Sequence, residues 1–124
     1  MEKIKPPYQS RMNTFKGIVQ EGSKRARALG YPTANIKQDD RSISGVYAAI
    51  VRIDKAMYHA VAFADPARQL LEAHIFGVNE SMYGRNMSIE LMQKIRETVR
   101  FEDDEALRLA IEEDIAKVRE YFNT

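Results

Sequence analysis

Residues 46–64, VYAAIVRIDKAMYHAVAFA, carry the strongest β-strand pattern of the chain. Both ends of this stretch, residues 46–53 and 57–64, are rich in valine, isoleucine, tyrosine and phenylalanine, which favour pleated, half-buried strands. The polar step Asp54-Lys55-Ala56 between them is short enough for a hairpin turn. We therefore expect the two segments to pair as antiparallel strands.

Three further segments on either side of this hairpin continue the β pattern. Residues 14–21 lean towards a strand and end at the Gly22-Ser23 break, which is typical of a turn. Residues 70–76 form a second apolar run. In residues 87–101 apolar and polar side chains alternate, with a bend expected near Gln93. The sequence thus predicts five or six short strands.

The C-terminal segment has a helical period instead. Its apolar residues recur at spacings of four, four, three and four, which places them on one face of an α-helix. Asp103 is a suitable N-cap for this helix, and we expect the apolar face to lie on the sheet. Strands that close on themselves hide their edges, so the predicted fold is an all-β or α+β domain, a small barrel with a C-terminal helix. The helical stripe comprises Leu107, Ile111, Ile115, Val118 and Phe122.

Composition narrows the functional classes. A chain of 124 residues favours one domain, for which we expect an N-terminal arm at residues 1–12 and a folded body at 13–124. Nineteen basic and eighteen acidic residues leave a net charge of +1, which predicts neither a nucleic acid nor a membrane partner. The absence of cysteine excludes disulfides and sulfur-ligated zinc. With no apolar run of the ~20 residues that span a bilayer, we expect a cytoplasmic protein. We also expect a monomer.

Residues 22–36, GSKRARALGYPTANI, do not have the pattern of a core strand, and we expect this segment to lie outside the core. Gly22 and Gly30 permit unusual backbone geometry, and three cations lie between them at Lys24, Arg25 and Arg27. This pattern indicates an exposed basic flap that would suit a polyphosphate. On the pattern alone, a solvated surface loop is the more common explanation.

The end of this segment suggests a metal site. Pro32 fixes φ directly before Thr33, and Asn35 lies on the same side as Thr33 if the backbone is extended. A hydroxyl and an amide oxygen are ligands that Mg²⁺ accepts, although an ordinary turn explains the same residues. Further along, Glu72 interrupts an apolar run, and alternation would place it with His74 on an outward polar face that needs no chemistry.

Several motifs together resemble the riboflavin kinases (flavokinases), whose kinase domain also occurs in bacterial bifunctional FAD synthetases. The flap is followed by a Leu-Gly-Phe/Tyr-Pro-Thr-Ala-Asn-Ile block in that family, present here as residues 29–36. The other matching motifs keep the family's order from Phe15 to Phe122. They are Gly45-Val46-Tyr47, then Glu72, His74, Ile75 and Phe76, then Tyr83-Gly84, and finally Arg96 with Phe101.

The resemblance implies a fold, a reaction and a set of site residues. The fold would be a six-stranded antiparallel Greek-key barrel with a C-terminal helix. The reaction would transfer the γ-phosphoryl group of ATP to the 5′-hydroxyl of riboflavin, giving FMN and ADP. Thr33 and Asn35 would hold Mg²⁺, and Glu72 would be the catalytic carboxylate. The residues that would bind nucleotide or flavin are Gly22, Arg25, Arg27, Gly30, Pro32, Asn35, Tyr83 and Arg96.

The chain departs from the family pattern at three places. Ala26 replaces the usual glycine between two arginines, Gly77 replaces an aspartate, and the link at residues 65–69 is short. These departures leave two alternatives open. A catalytically weak or silent relative would bind flavin or nucleotide as a carrier or regulator, and a plain small barrel would serve protein interaction.

Overall fold

A computed structural model of the chain describes residues 14–123, so the predicted N-terminal arm at 1–12 and the start of the body at residue 13 lie outside the described part. Within that part the chain forms seven strands and two helices. The strands are β1 (Thr14–Ile18), β2 (Gln20–Glu21), β3 (Ala34–Lys37), β4 (Gly45–Ile53), β5 (Ala56–Asp65), β6 (Leu70–Ile75) and β7 (Asn86–Arg96). The helices are α1 (Lys24–Ala28) and α2 (Asp104–Phe122).

All strand pairs are antiparallel and belong to one sheet, in the order β1-β7-β4-β5-β6-β3-β2. The two edge strands, β1 and β2, are consecutive in the chain and are separated by Val19 alone. The first segment of the body therefore joins one edge of the sheet to the other. This connection curls the sheet into a near-barrel, as the sequence predicts, and leaves little free edge.

The strand number differs from the expected six because the run 14–21 does not form one strand. Val19 donates its N–H to the Arg85 carbonyl at 2.9 Å and accepts the Gly84 N–H at 2.9 Å. These bonds to a loop replace ladder bonds, so pairing with β7 stops there and pairing with β3 begins after it. The buried Val19 side chain, 2% exposed, holds this corner in the core.

The predicted hairpin is confirmed as β4 and β5, with a two-residue turn that contains Asp54 at φ +56°. Strands β4, β5 and β6 follow one another, and β7 returns to lie beside β4. This is a Greek-key order. The register between β4 and β7 shifts twice, and one shift lies between Gln93 and Leu91, where a bend is expected. Irregularities of this kind commonly bend a strand. Strand β7 ends at Arg96, five residues before the predicted end at residue 101.

Two layers of apolar packing hold the molecule together. The barrel interior contains Ile36, Val51, Leu71, Ile89 and their neighbours, and several alanines line its walls. A second cluster lies outside the barrel under α2, where Val46, Ala48 and Val61 of the sheet meet Val118. The predicted helix is confirmed with its N-cap, since the Asp103 side chain accepts the Glu105 N–H. Neither helix of residues 14–123 is long and apolar enough to cross a membrane.

A buried ion pair fastens α2 to the sheet. Arg96, the last residue of β7, donates from Nε and Nη2 to the two carboxylate oxygens of Asp114 at 2.8 and 2.7 Å. The Asp114 side chain is 1% exposed and the Arg96 side chain 23%. The hydrogen bond to Asp114 raises the pKa of the Arg96 guanidinium. A bidentate pair of this kind fixes the direction as well as the distance of the contact.

We predict that Asp114→Ala destabilises the fold by about 2–4 kcal/mol, because Arg96 loses its partner while it keeps only partial access to water. Glu113→Ala is the matched control, since it also removes a carboxylate, one residue away on an exposed face of α2. Urea unfolding followed by circular dichroism measures both. Equal losses in the two variants would show that the pair contributes little.

Candidate functional site

The basic flap contains a short helix, where the sequence predicts a loop. Helix α1 covers Lys24–Ala28 and buries none of its residues. Ser23 is its N-cap, and the Ser23 hydroxyl accepts the Ala26 N–H at 3.1 Å. Alanine and arginine are strong helix formers, which explains this turn of helix. Ala26 is helical here and has no positive φ, so the glycine that it replaces is not needed in this conformation.

The segment after the flap was expected to lie outside the core, and this expectation is wrong. Ala34, Asn35 and Ile36 are buried in β3, which lies between β2 and β6. Ala34 and Ile36 face Ala73 and Leu71 across the ladder and complete the barrel wall. The same register sets Asn35 opposite Glu72, and the Cβ atoms of such cross-strand pairs lie about 5 Å apart.

Thr33 and Glu72, predicted as metal ligand and catalytic carboxylate, are in direct contact. The Thr33 hydroxyl donates to Oε2 of Glu72 at 2.6 Å. Glu72 is half-buried between Leu71 and Ala73, which are fully buried on the opposite face of β6. The predicted alternation along this strand is confirmed. A hydroxyl in this geometry still has a lone pair for another partner.

The backbone of Ser23 makes a third contact that the sequence does not reveal. Its N–H lies 3.0 Å from Oγ1 of Thr33 and 2.9 Å from Oε2 of Glu72, and donates to both. Ser23, the second residue of the flap, is thus bound to both predicted site residues. Only the position of Ser23 before a basic stretch hints at this role, and its hydroxyl is occupied by the α1 cap.

Asn35 carries an oxygen with no partner. The residue is 6% exposed, and its Nδ2 donates to the Glu21 carbonyl at 3.1 Å. Its Oδ1 is buried and accepts no hydrogen bond from any residue within 14–123. A buried orphan acceptor is uncommon, and an unseen cation or water is one of its usual causes. This oxygen and the Thr33 hydroxyl are both donors of the kind that Mg²⁺ prefers.

Gly22 is required by close packing. A Cβ atom at this position would lie 2.1 Å from the Thr33 carbonyl oxygen and 2.4 Å from Thr33 Oγ1. Both distances are far below any van der Waals contact. The chain can pass this close to Thr33 only because residue 22 has no side chain, so Gly22 sets the position of Ser23 against the site.

A cavity of about 330 Å³ opens beside Thr33. Its volume is within the range of small-ligand pockets, and two of the three flap cations line it. Glu72 and Asn35 do not belong to its lining, so Thr33 stands between the cavity and the carboxylate. The cavity wall includes Gly22, Ser23, Lys24, Arg27, Pro32 and Thr33 on the flap side, and Val78, Glu80, Ser81, Met82 and Tyr83 on the other.

The third flap cation points away from this cavity. Arg25 donates from Nε to Asp104 at 2.7 Å and from Nη1 to the Phe101 carbonyl at 2.7 Å. Nearby, the Tyr31 hydroxyl donates to Glu112 at 2.8 Å. Burial, followed by this hydrogen bond, raises the pKa of the Tyr31 phenol. The flap is therefore attached to the N-terminal half of α2 at two points.

Pro32 and His74 support the backbone of the site. Nδ1–H of His74 donates to the Pro32 carbonyl at 2.8 Å, and the imidazole lies edge-on to the Tyr31 ring with centroids 5.6 Å apart. His74 has a packing role here, in line with its expected role as a structural neighbour. The described residues contain no cluster of three or more histidine, cysteine or acidic side chains that would hold a metal.

The other predicted site residues lie further out. Tyr83 is 67% exposed and borders the cavity. Gly30 has φ +100° and ends the flap, with open space around its Cα. Arg96 lies outside the cavity lining, because its guanidinium is bound to Asp114 and to the Glu97 carbonyl. Arg25 and Arg96 instead bind acidic residues of α2. The predicted site residues that the structure brings together are Gly22, Arg27, Pro32, Thr33, Asn35 and Glu72.

Comparisons with protein families and curated proteins point to the same family. Residues 9–122 match the family model Flavokinase, described as riboflavin kinase. The bifunctional riboflavin kinase/FMN adenylyltransferase of Haemophilus influenzae is 33% identical over 117 residues, which cover 87% of this chain and 38% of that protein. The enzyme of the same name from Pseudomonas fluorescens is 37% identical over 112 residues, covering 83% and 36%. The chain spans less than half the length of these relatives.

Two solved structures have a similar fold. Riboflavin kinase from Trypanosoma brucei superposes with a TM-score of 0.66 at 22% identity, over 90% of this chain and 80% of that one. A structure from Streptococcus pneumoniae described as a macrolide-efflux protein has a TM-score of 0.73 at 29% identity, over 86% of this chain and 38% of that one. Both likenesses support the barrel with a C-terminal helix.

We predict that Gly22→Ala destabilises the protein by about 3 kcal/mol, because the added methyl group must push Thr33 away. Gly30→Ala is the control. It adds a methyl group in open space and has only the strain of a positive φ, about 1–2 kcal/mol. Thermal and urea unfolding compare the two. A smaller loss for Gly22→Ala than for Gly30→Ala would contradict the tight packing at Thr33.

Proposed function

Since this chain belongs to the riboflavin kinase family, we propose that it transfers the γ-phosphoryl group of ATP to the 5′-hydroxyl of riboflavin and releases FMN and ADP. The observation that carries this proposal is the direct contact of Thr33 and Glu72 at 2.6 Å beside a cavity whose lining includes Lys24 and Arg27. A hydroxyl for a metal and a carboxylate for an alcohol proton are the two groups that this transfer needs at one place.

We place the nucleotide in the cavity beside Thr33. Lys24 and Arg27 line it, and each can pair with a phosphate oxygen. Glu21 and Glu80 also belong to the lining, so the attraction for a triphosphate comes from Lys24 and Arg27 and not from a net positive charge of the cavity. The Arg25 guanidinium donates hydrogen bonds to Asp104 and to the Phe101 carbonyl, so it would have to break them to contact a phosphate. Of the two arginines considered, Arg27 is therefore the better candidate.

The donors around Thr33 fit Mg²⁺. Oγ1 of Thr33 and the orphan Oδ1 of Asn35 would hold the ion, and both are hard oxygen ligands. When bound, the metal neutralises charge on the transferring phosphoryl group. The chain holds these two oxygens at the start of β3. It also buries Asn35 away from water, so its Oδ1 is left without a partner and can accept a cation.

Glu72 is our candidate for the base. The hydrogen bonds of the described residues engage its Oε2, so Oε1 is left to accept the proton of the riboflavin alcohol. Phosphoryl transfer has a loose transition state in which positioning and charge neutralisation dominate. Loss of Glu72 should therefore reduce the rate less than loss of the metal ligand.

A catalytically silent flavin or nucleotide carrier is the second candidate, because Ala26, Gly77 and the short link at residues 65–69 depart from the family pattern. The helical conformation of Ala26 weakens the first of these objections. Flavin contact by Arg96 and Tyr83, a monomeric state and a cytoplasmic location stay predictions. For Arg96, the pairing with Asp114 supports a role in holding α2.

We predict that the purified protein converts riboflavin to FMN with ATP and Mg²⁺, as measured by chromatography with fluorescence detection. Glu72→Gln should lower kcat by about 10²-fold, as expected for a general base, and Thr33→Ala should lower it further. Thr33→Ser keeps the hydroxyl and should retain most of the activity. Glu90→Gln on β7 is a control for loss of a strand carboxylate. Tight riboflavin binding without turnover would select the carrier.

We also predict that chelation of the divalent cation stops FMN formation, and that Asn35→Leu raises the Mg²⁺ concentration for half-maximal rate by roughly tenfold. The metal-free stability should fall by only about 1 kcal/mol, because leucine removes an acceptor that has no partner together with one neutral hydrogen bond, from Nδ2 to the Glu21 carbonyl. Rate titrations and urea unfolding measure the two effects. An unchanged Mg²⁺ dependence would remove Asn35 from the metal site.

A further inference from the structure

The backbone N–H of Ser23 is the group through which the flap reaches the reacting residues. We infer that this N–H, and not the Ser23 hydroxyl, is a positioning group for Glu72 and Thr33, an inference that rests on the proposed function. It donates to Oε2 of Glu72 at 2.9 Å and to Oγ1 of Thr33 at 3.0 Å. The hydroxyl is directed elsewhere and accepts the Ala26 N–H.

These bonds orient the carboxylate. Oε2 accepts from two donors, the Ser23 N–H and the Thr33 hydroxyl, and is fixed by them. Hydrogen bonds to a charged group are stronger than neutral ones and restrict its rotation. Oε1 is then presented as the free oxygen. Without the Ser23 N–H, the carboxylate would be held by the Thr33 hydroxyl alone and could rotate about its Cγ–Cδ bond.

The same bonds orient the hydroxyl of Thr33. Because Oγ1 accepts from Ser23 and donates to Glu72, its hydrogen points at the carboxylate and one lone pair stays free. That lone pair is what a cation requires. The N–H thus acts on both partners at once, the proposed base and the proposed metal ligand.

The position of this N–H depends on the flap. Gly22 lets the chain pass against Thr33, and the N-cap contact ties Ser23 to α1, which also carries Lys24 and Arg27. A movement of α1 towards a bound polyphosphate would therefore move the Ser23 N–H relative to Glu72. Phosphate contacts and carboxylate orientation are coupled through one residue.

The backbone of Ser23 allows a direct test. Its φ is −68°, the value that proline adopts, so Ser23→Pro removes the N–H without strain in φ. The proline ring also occupies the place of the hydrogen, which breaks both contacts. Ser23→Ala is the matched reference, because both variants lack the hydroxyl and only the alanine keeps the N–H. The ratio of their rates measures the loss of the two N–H contacts, including the displacement of Thr33 and Glu72 by the ring, with the serine hydroxyl absent from both variants.

We expect Ser23→Pro to have a kcat roughly tenfold or more below that of Ser23→Ala, the size of one lost hydrogen bond to a charged group. The KM for riboflavin should change little. In a Glu72→Ala background the difference between the two variants should shrink, since the acceptor is gone. Equal kcat values for Ser23→Pro and Ser23→Ala in an otherwise active enzyme would overturn the inference. If the unmodified protein makes no FMN, the proposed function fails instead.

A second measurement does not depend on the folding of Ser23→Pro or on activity. In this measurement Ser23 is kept. Its amide should exchange its hydrogen roughly tenfold faster in Glu72→Ala than in the parent protein, because its hydrogen bond to Glu72 is lost. Glu90→Ala is the control and should leave this amide unchanged. An equal exchange rate in the parent and in Glu72→Ala would show that the N–H does not hold the carboxylate.

Discussion

The antiparallel pairing of β3 with β6 is the constraint from which the proposed site follows. This register sets Asn35 opposite Glu72 and brings Thr33, the residue just before β3, within hydrogen-bond distance of the carboxylate. Because the side-chain period of a strand is two, a slip of one residue would turn Thr33 and Asn35 into the core and Ala34 and Ile36 outwards. The barrel core therefore fixes the site, since Ala34 and Ile36 must face Ala73 and Leu71.

Helix α2 and the flap form a second layer of support on the outside of the barrel. Arg96 and Asp114 fasten the helix to β7, while Arg25 and Tyr31 attach the flap to the first half of the same helix. The exposed pair of Arg25 with Asp104 contributes little to stability. The buried pair of Arg96 with Asp114 is bidentate and fixes the orientation of the helix, and loss of one partner would be costly. The helix is thus held firmly to the sheet, and the flap is attached to the helix by exposed contacts.

Local patterns in the sequence predict the strands and the helix well. The hairpin of β4 and β5, the alternation around Glu72 and the apolar stripe of α2 all depend on neighbours in the chain. The division of the first strand at Val19 does not, because it results from bonds to Gly84 and Arg85 far along the sequence. For the same reason β3 was missed as a core strand, since only its long-range partners show that it is buried.

The site shows the same limit. The resemblance identifies Thr33, Asn35 and Glu72 as site residues. Composition cannot show that the Ser23 N–H binds Thr33 and Glu72, or that Arg25 binds Asp104 of α2. The most direct test of the account is a crystal structure with ADP, Mg²⁺ and riboflavin. We expect the riboflavin 5′-oxygen within about 3 Å of Glu72 Oε1, with Thr33 Oγ1 and Asn35 Oδ1 on the cation. An ordered riboflavin whose 5′-oxygen lies at the opposite end of the barrel, or a cation held by other residues, would contradict the account.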